Sequence, residues 1–172
     1  GRAGARIPAV TAATPLSAVE IAAAVRAGNV TAHAVTEAAL EAVARVDPQL
    51  NSFTTVLRER ALAEARAIDR RRAAGDALPP LAGVPYAVKN LFDVAGLTTL
   101  AGSKVRAGAP PAANDATLVA RMREAGAVLV GTNNMDEFAY GFTTENAHYG
   151  PTRNPHDPAC IAGGSSGGSG AA

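Results

Sequence analysis

Gly83-Val84-Pro85-Tyr86-Ala87-Val88-Lys89 and, further on, Ala127-Val128-Leu129-Val130 are the two runs that decide how this chain folds. Each is short, apolar and bounded by turn residues, which is the pattern of a buried strand. Between them lie a Gly- and Pro-rich loop over 96–111 and a helical pattern carrying Leu118, Val119 and Met122, with Asn114 as its expected cap and Gly126 as its stop. Working outward, Phe53-Thr54-Thr55-Val56-Leu57 reads as another short strand. Arg58 to Ala74 reads as a charged, Ala-rich helix ending at Gly75. Strands and helices alternate from Phe53 onward, which predicts an α/β layer architecture with Val84–Val88 and Val128–Val130 in one sheet.

Upstream of that core the pattern is helical. Thr14-Pro15 is a helix-start signal, and Leu16, Val19, Ala23 and Arg26 follow it before Gly28-Asn29. Thr31 caps a second helix whose stripe of Val35, Ala38, Ala39, Ala42, Val43 and Val46 has helical spacing. Asp47-Pro48 is expected to end it. The two form a helical hairpin over about 14–47 that holds no titratable constellation, so it reads as scaffold for an α/β core beginning at about 53. Residues 1–172 form one domain by this reading.

Composition excludes several classes. Hydrophobic residues make up 48% and charged residues 18%, so the chain is globular rather than disordered. The net charge of +1 gives no nucleic-acid surface, and the basic run Arg70 to Arg72 sits where a helix end welcomes cations. One cysteine, Cys160, forms no intramolecular disulfide. No apolar run reaches the roughly 18 residues of a membrane span, and the expectation is a cytoplasmic protein without a membrane partner. His33, His148, His156 and Cys160 show no metal-ligand spacing, so no metal site is expected.

Three segments carry chemistry. Lys89 ends an apolar strand, the position where α/β sheets place their sites. A lysine there either reaches to solvent or sits in a low-dielectric pocket, where its depressed pKa suits it to act as a base. The stretch Gly163-Gly164-Ser165-Ser166-Gly167-Gly168-Ser169-Gly170 reads in three ways: a flexible linker, a phosphate-cradling nest, or a tight turn presenting serine hydroxyls at a helix start. Finally, Asn133-Asn134-Met135-Asp136-Glu137-Phe138-Ala139-Tyr140-Gly141 follows the Val128 strand. Asp136 and Glu137 are adjacent and read as helix capping and first-turn compensation, not as an acid/base pair.

Taken together, Gly83 to Lys89, Gly131-Thr132-Asn133-Asn134-Met135-Asp136-Glu137-Phe138 and Gly163 to Ser169 resemble the amidase-signature family. The resemblance implies an α/β/α sandwich with a mixed sheet, present here as its N-terminal part. It implies a Ser–Ser–Lys triad with no metal or organic cofactor. Lys89 matches the family's strand-end lysine, and Ser165 its bridging serine, which follows a cis peptide bond. In the implied relay neutral Lys89 takes a proton from Ser165, and Ser165 takes one from a nucleophilic serine that attacks the amide carbonyl.

The family's nucleophile and oxyanion hole belong to a later Gly/Ser-rich segment beyond Ala172, so the chain alone is expected to hydrolyse nothing. Its ends read as cut, and exposed sheet edges and apolar faces predict poor solubility or dependence on a complementary piece. The residue after the lysine is usually Asp in the family and is Asn90 here. The segment from Tyr140 to Pro155 is most similar to the carboxybiuret-hydrolase branch of bacterial nitrogen metabolism. By resemblance Tyr140, Gly141 and Phe142 line the acyl side of the pocket, and the substrate is a small urea-like or carboxylated amide. The A-subunit of the glutamyl-tRNA amidotransferase is the alternative enzyme, and a non-catalytic fragment or binding module is the alternative without chemistry. A second copy or a small accessory subunit is the partner these readings allow.

Overall fold

A computed structural model describes residues 16–172. Helix α1 (Ala18–Ala27) begins later than Thr14-Pro15 suggests; those two residues lie outside the described ones. Ser17 is the cap in fact. Its hydroxyl accepts from the Glu20 N–H while the Glu20 carboxylate accepts from the Ser17 N–H, a capping box. Gly28 closes the helix in the left-handed region.

Helix α2 (Ala32–Leu50) is capped by Thr31 as expected but runs through Pro48. Proline lacks the N–H that would bond back to the Ala44 carbonyl, so the helix forfeits that one hydrogen bond. Asp47 makes the real terminus. Its main-chain carbonyl accepts from Asn51, and its carboxylate accepts from the Ser52 and Phe53 N–H groups and the Ser52 hydroxyl. The chain is thereby turned straight into strand β1 (Phe53–Val56).

Helix α3 (Arg58–Ala73) ends with Arg70, Arg71 and Arg72 in its last turn, as the dipole favours. Strand β2 (Pro85–Lys89), helix α4 (Thr117–Glu124) and strand β3 (Val128–Asn133) follow. Asn114 does not cap α4, whose cap position is Ala116 with no side-chain bond. The neighbouring Asp115 serves elsewhere. It accepts from the Ala95 N–H and pairs with Arg60 and Arg123, tying the loop after β2 to α3 and α4.

The sheet order is β1-β3-β2, with β3 parallel to β2 and antiparallel to β1, so the sheet is mixed. Its two faces bury different clusters, because neighbouring side chains on a strand point opposite ways. Val128 and Val130 pack with Val25, Leu40, Ala61 and Ala65 of the first three helices. Leu129 packs with Val88, Val94 and Val119 on the other face, under α4. This is the helix–sheet–helix layering that the alternation predicts. Helix α2 packs directly into the first cluster. A short ribbon, β4 (Glu145–Asn146) with β5 (Gly150–Pro151), and helix α5 (Gly167–Ala171) complete the described chain. No helix among the described residues is long and apolar enough to cross a membrane.

Candidate active site

Strands β2 and β3 end side by side, with Lys89 paired to Asn133 in register. The segments after the two strands therefore gather at one edge of the sheet, the carboxyl end where such folds place sites. The Gly/Ser stretch is brought to the same edge by main-chain bonds. The Asp136 N–H donates to the Ser165 carbonyl over 3.2 Å, and the Gly168 N–H donates to the Asn134 carbonyl over 3.1 Å. The Gly167 N–H donates to the Thr144 hydroxyl over 2.9 Å. These contacts rule out the flexible linker and favour the tight turn before a helix.

The result is one close pair: Nζ of Lys89 lies 2.6 Å from Oγ of Ser165. The Gly164–Ser165 peptide is cis, as the resemblance implies. Burial pulls the Lys89 pKa below its ordinary value, and the nearby Asp136 carboxylate opposes that shift. A lysine so placed gives up its proton more readily than a free one and can serve as a base toward the serine hydroxyl. Ser166 and Ser169 are exposed, and neither hydroxyl meets Lys89. Ser169 turns instead toward Asn133.

Asp136 is the residue that sequence reasoning placed wrongly. It precedes a short 3-10 turn (Glu137–Ala139), but its side chain makes no cap there. It is buried, and Oδ1 accepts from the Thr144 N–H over 3.0 Å while Oδ2 has no partner. Two glycines make room for it. A Cβ on Gly141 would lie 2.5 Å from its carboxyl carbon, and one on Gly164 would lie 2.3 Å from Oδ2. Glu137 does sit in the first turn of that 3-10 helix, and its carboxylate also accepts from the Ser103 hydroxyl over 2.5 Å and meets His148 Nε2 at 3.0 Å. Those hydrogen bonds, Ser103 foremost, lower its pKa.

Buried amides hold the rest of the edge. Asn134 donates to the Gly150 carbonyl and the Thr152 hydroxyl, and Asn146 donates to the carbonyls of Gly102 and Met135. Asn90, the departure from the family's Asp, is buried and fully used: its amide donates to the hydroxyls of Thr54 and Thr132, and its carbonyl accepts from the Leu100 N–H. It ties all three strands to the following loop without adding charge beside Lys89.

Tyr140, Gly141 and Phe142 are brought to the site unequally. Gly141 lies against Asp136, while Tyr140 and Phe142 are 95% and 87% exposed. A cavity of about 460 Å³ lies between α2, the sheet and α5, but neither Lys89 nor Ser165 lines it.

The sequence model of the family described as Amidase matches residues 34–172, which covers the sheet and all of this site. The chain belongs to the Amidase family. Among its curated relatives, the AtzE subunit of 1-carboxybiuret hydrolase from Pseudomonas sp. (strain ADP) is 62% identical over 91% of this chain and 34% of its own length. The A-subunit of the glutamyl-tRNA(Gln) amidotransferase of Acidothermus cellulolyticus is 52% identical over 91% of this chain and 31% of its own. Among solved structures, one from an inhibitor-bound vestigial protein complex, tied to the origins of an s-triazine catabolic enzyme, superposes with TM-score 0.90 at 62% identity, covering 91% of this chain and 34% of its own. A bacterial aryl acylamidase of the amidase-signature family superposes with TM-score 0.86 at 34% identity, covering 91% and 32%. The chain thus spans about a third of the length of these Amidase relatives.

Proposed function

We propose that the protein containing this chain is an amidohydrolase that cleaves the C–N bond of a small urea-like or carboxylated amide through a Ser–cis-Ser–Lys relay. The observation that carries the reading is the 2.6 Å approach of Lys89 Nζ to Ser165 Oγ, with the lysine drawn toward its neutral form by burial. A neutral amine accepts the Ser165 proton, and the Ser165 oxygen then accepts the proton of a nucleophilic serine. That serine adds to the amide carbonyl, and the proton returns through the same two groups to the leaving nitrogen. Water repeats the cycle on the acyl-enzyme.

The family's nucleophile position is neither Ser166 nor Ser169. This chain alone should therefore form no adduct with a fluorophosphonate probe at either serine, as read by mass spectrometry. An adduct on Ser166 or Ser169 would remove the proposed division of roles.

The high identity to one subunit of a carboxybiuret hydrolase supports carboxybiuret or a similar small substrate, with Tyr140, Gly141 and Phe142 on its acyl side. A solved structure 62% identical to this chain comes from a protein complex, which supports a partner in the form of a small accessory subunit. The similarity to amidotransferase A-subunits favours a second reading, an amidotransferase acting on glutamine. A substrate panel on the full-length protein separates the two. Carboxybiuret should be turned over with a kcat/KM at least about tenfold above that for biuret or a simple aliphatic amide, a gap of about 1.4 kcal/mol. Preference for glutamine in the presence of charged glutamyl-tRNA would move the assignment to the amidotransferase.

A further inference from the structure

Asp136 is a buried carboxylate that the relay as described does not use. The residue meets the Gly/Ser turn twice directly, once by its main chain and once by its side chain, and a third time through Thr144. Its N–H donates to the Ser165 carbonyl, and its Oδ1 accepts from Thr144, whose hydroxyl accepts from the Gly167 N–H. Its Oδ2 lies against Gly164 and is unpartnered. A buried carboxylate oxygen with no donor is costly unless a positive charge is close by. Lys89, hydrogen-bonded to Ser165, is the cation whose attraction to this carboxylate opposes the effect of its own burial.

Other charged groups near β2 are engaged elsewhere. Strand β3 and helix α5 carry no titratable side chain. Asp47 of α2 serves Ser52 and Phe53. Glu64, Arg60, Asp115 and Arg123 cluster around Leu129 and Tyr86, at the opposite end of the strands. Glu137 faces Ser103 and His148.

We propose that Asp136 is a positioning residue of the relay, fixing the Gly164–Ser165 main chain and balancing through its buried charge the proton affinity of Lys89. The proposal rests on the relay reading above. Burial alone would make Lys89 a weak base, easily neutral but slow to take a proton. The carboxylate restores part of its basicity, toward the match of base strength and working pH that general-base catalysis favours. The carboxylate is not a base itself, since the serine oxygen it would need to reach is already met by Lys89.

The test is the pH dependence of kcat/KM for the full-length protein with Asp136→Asn and Asp136→Ala. Asparagine keeps the acceptor for the Thr144 N–H and removes the charge. Neutral Lys89 is the active form, so activity rises with pH as the lysine loses its proton. Removing a negative neighbour eases that loss. The rising limb should then move to lower pH in both variants while the alkaline plateau falls. The ratio of variant to wild-type rate should increase at least about threefold from the plateau to the foot of the limb. A lowered plateau with an unmoved limb, or failure of both variants to fold by circular dichroism, would assign Asp136 to the scaffold and overturn the proposal. Lys89→Ala is the control for the reading beneath it: if that variant is active and keeps the limb, the relay fails together with the proposal.

Discussion

Lys89→Ala in the full-length protein is expected to lower kcat by about a thousandfold or more, and Ser165→Ala to do the same, with the unfolding transition of each close to that of the parent. The expectation follows from where the two side chains sit. Both are partly buried at the edge of the sheet, and neither belongs to the two clusters that hold the layers together. Lys89 pairs through its backbone in β2 whatever its side chain, and the Ser165 main chain is held by Asp136. Truncation therefore removes the 2.6 Å contact and little of the packing. Steady-state rates on the preferred amide, with thermal melts of the same samples, check both halves. A variant retaining a tenth of the parent rate would be incompatible with the relay.

Gly164→Ala should be as damaging, for a different reason. The added carbon would fall 2.3 Å from Asp136 Oδ2, 2.8 Å from the Thr143 nitrogen and 2.9 Å from the Phe142 carbonyl carbon. Two of those atoms are main chain, and the third is a carboxylate confined on its other side by Gly141. No flexible side-chain end can yield, so the backbone must shift. Overpacking of this kind costs about 1–3 kcal/mol, and here the shift also displaces Ser165 from Lys89. Gly170→Ala is the control. Nothing lies within 4 Å of its added carbon, and a change within about 0.5 kcal/mol is expected. Urea titration of the two variants measures the contrast; equal stabilities would mean that the chain around Gly164 yields freely.

The layers were readable because the strands are pure. Val128, Leu129 and Val130 have neighbours on both faces, so an unbroken apolar run is enough to read them as a buried strand, while their place between β1 and β2 is seen only in the structure. Helix ends were harder. Pro48 is read as a stop, but the helix runs past it to Leu50 at the loss of one hydrogen bond, and Asp47 acts through contacts that form only once the chain has turned. The approach of Lys89 to Ser165, seventy-six positions apart, is legible only through the family motif. The place of Asp136 is not legible. On local grounds an acidic residue before a short turn is a cap, and only the convergence of Gly141, Thr144 and Gly164 around it makes it a buried charge. The glycines were the available signal: two small residues, distant in sequence, leaving space for one carboxylate.

The central claim is that Lys89 and Ser165 work as one relay, and the most direct measurement is a double-mutant cycle on kcat in the full-length protein. If the two groups form one relay, Lys89→Ala, Ser165→Ala and the double variant should all be impaired to nearly the same extent, since breaking the path once breaks it entirely. A double variant slower than either single one by the product of their separate losses would show that the two residues act independently, and would contradict the account.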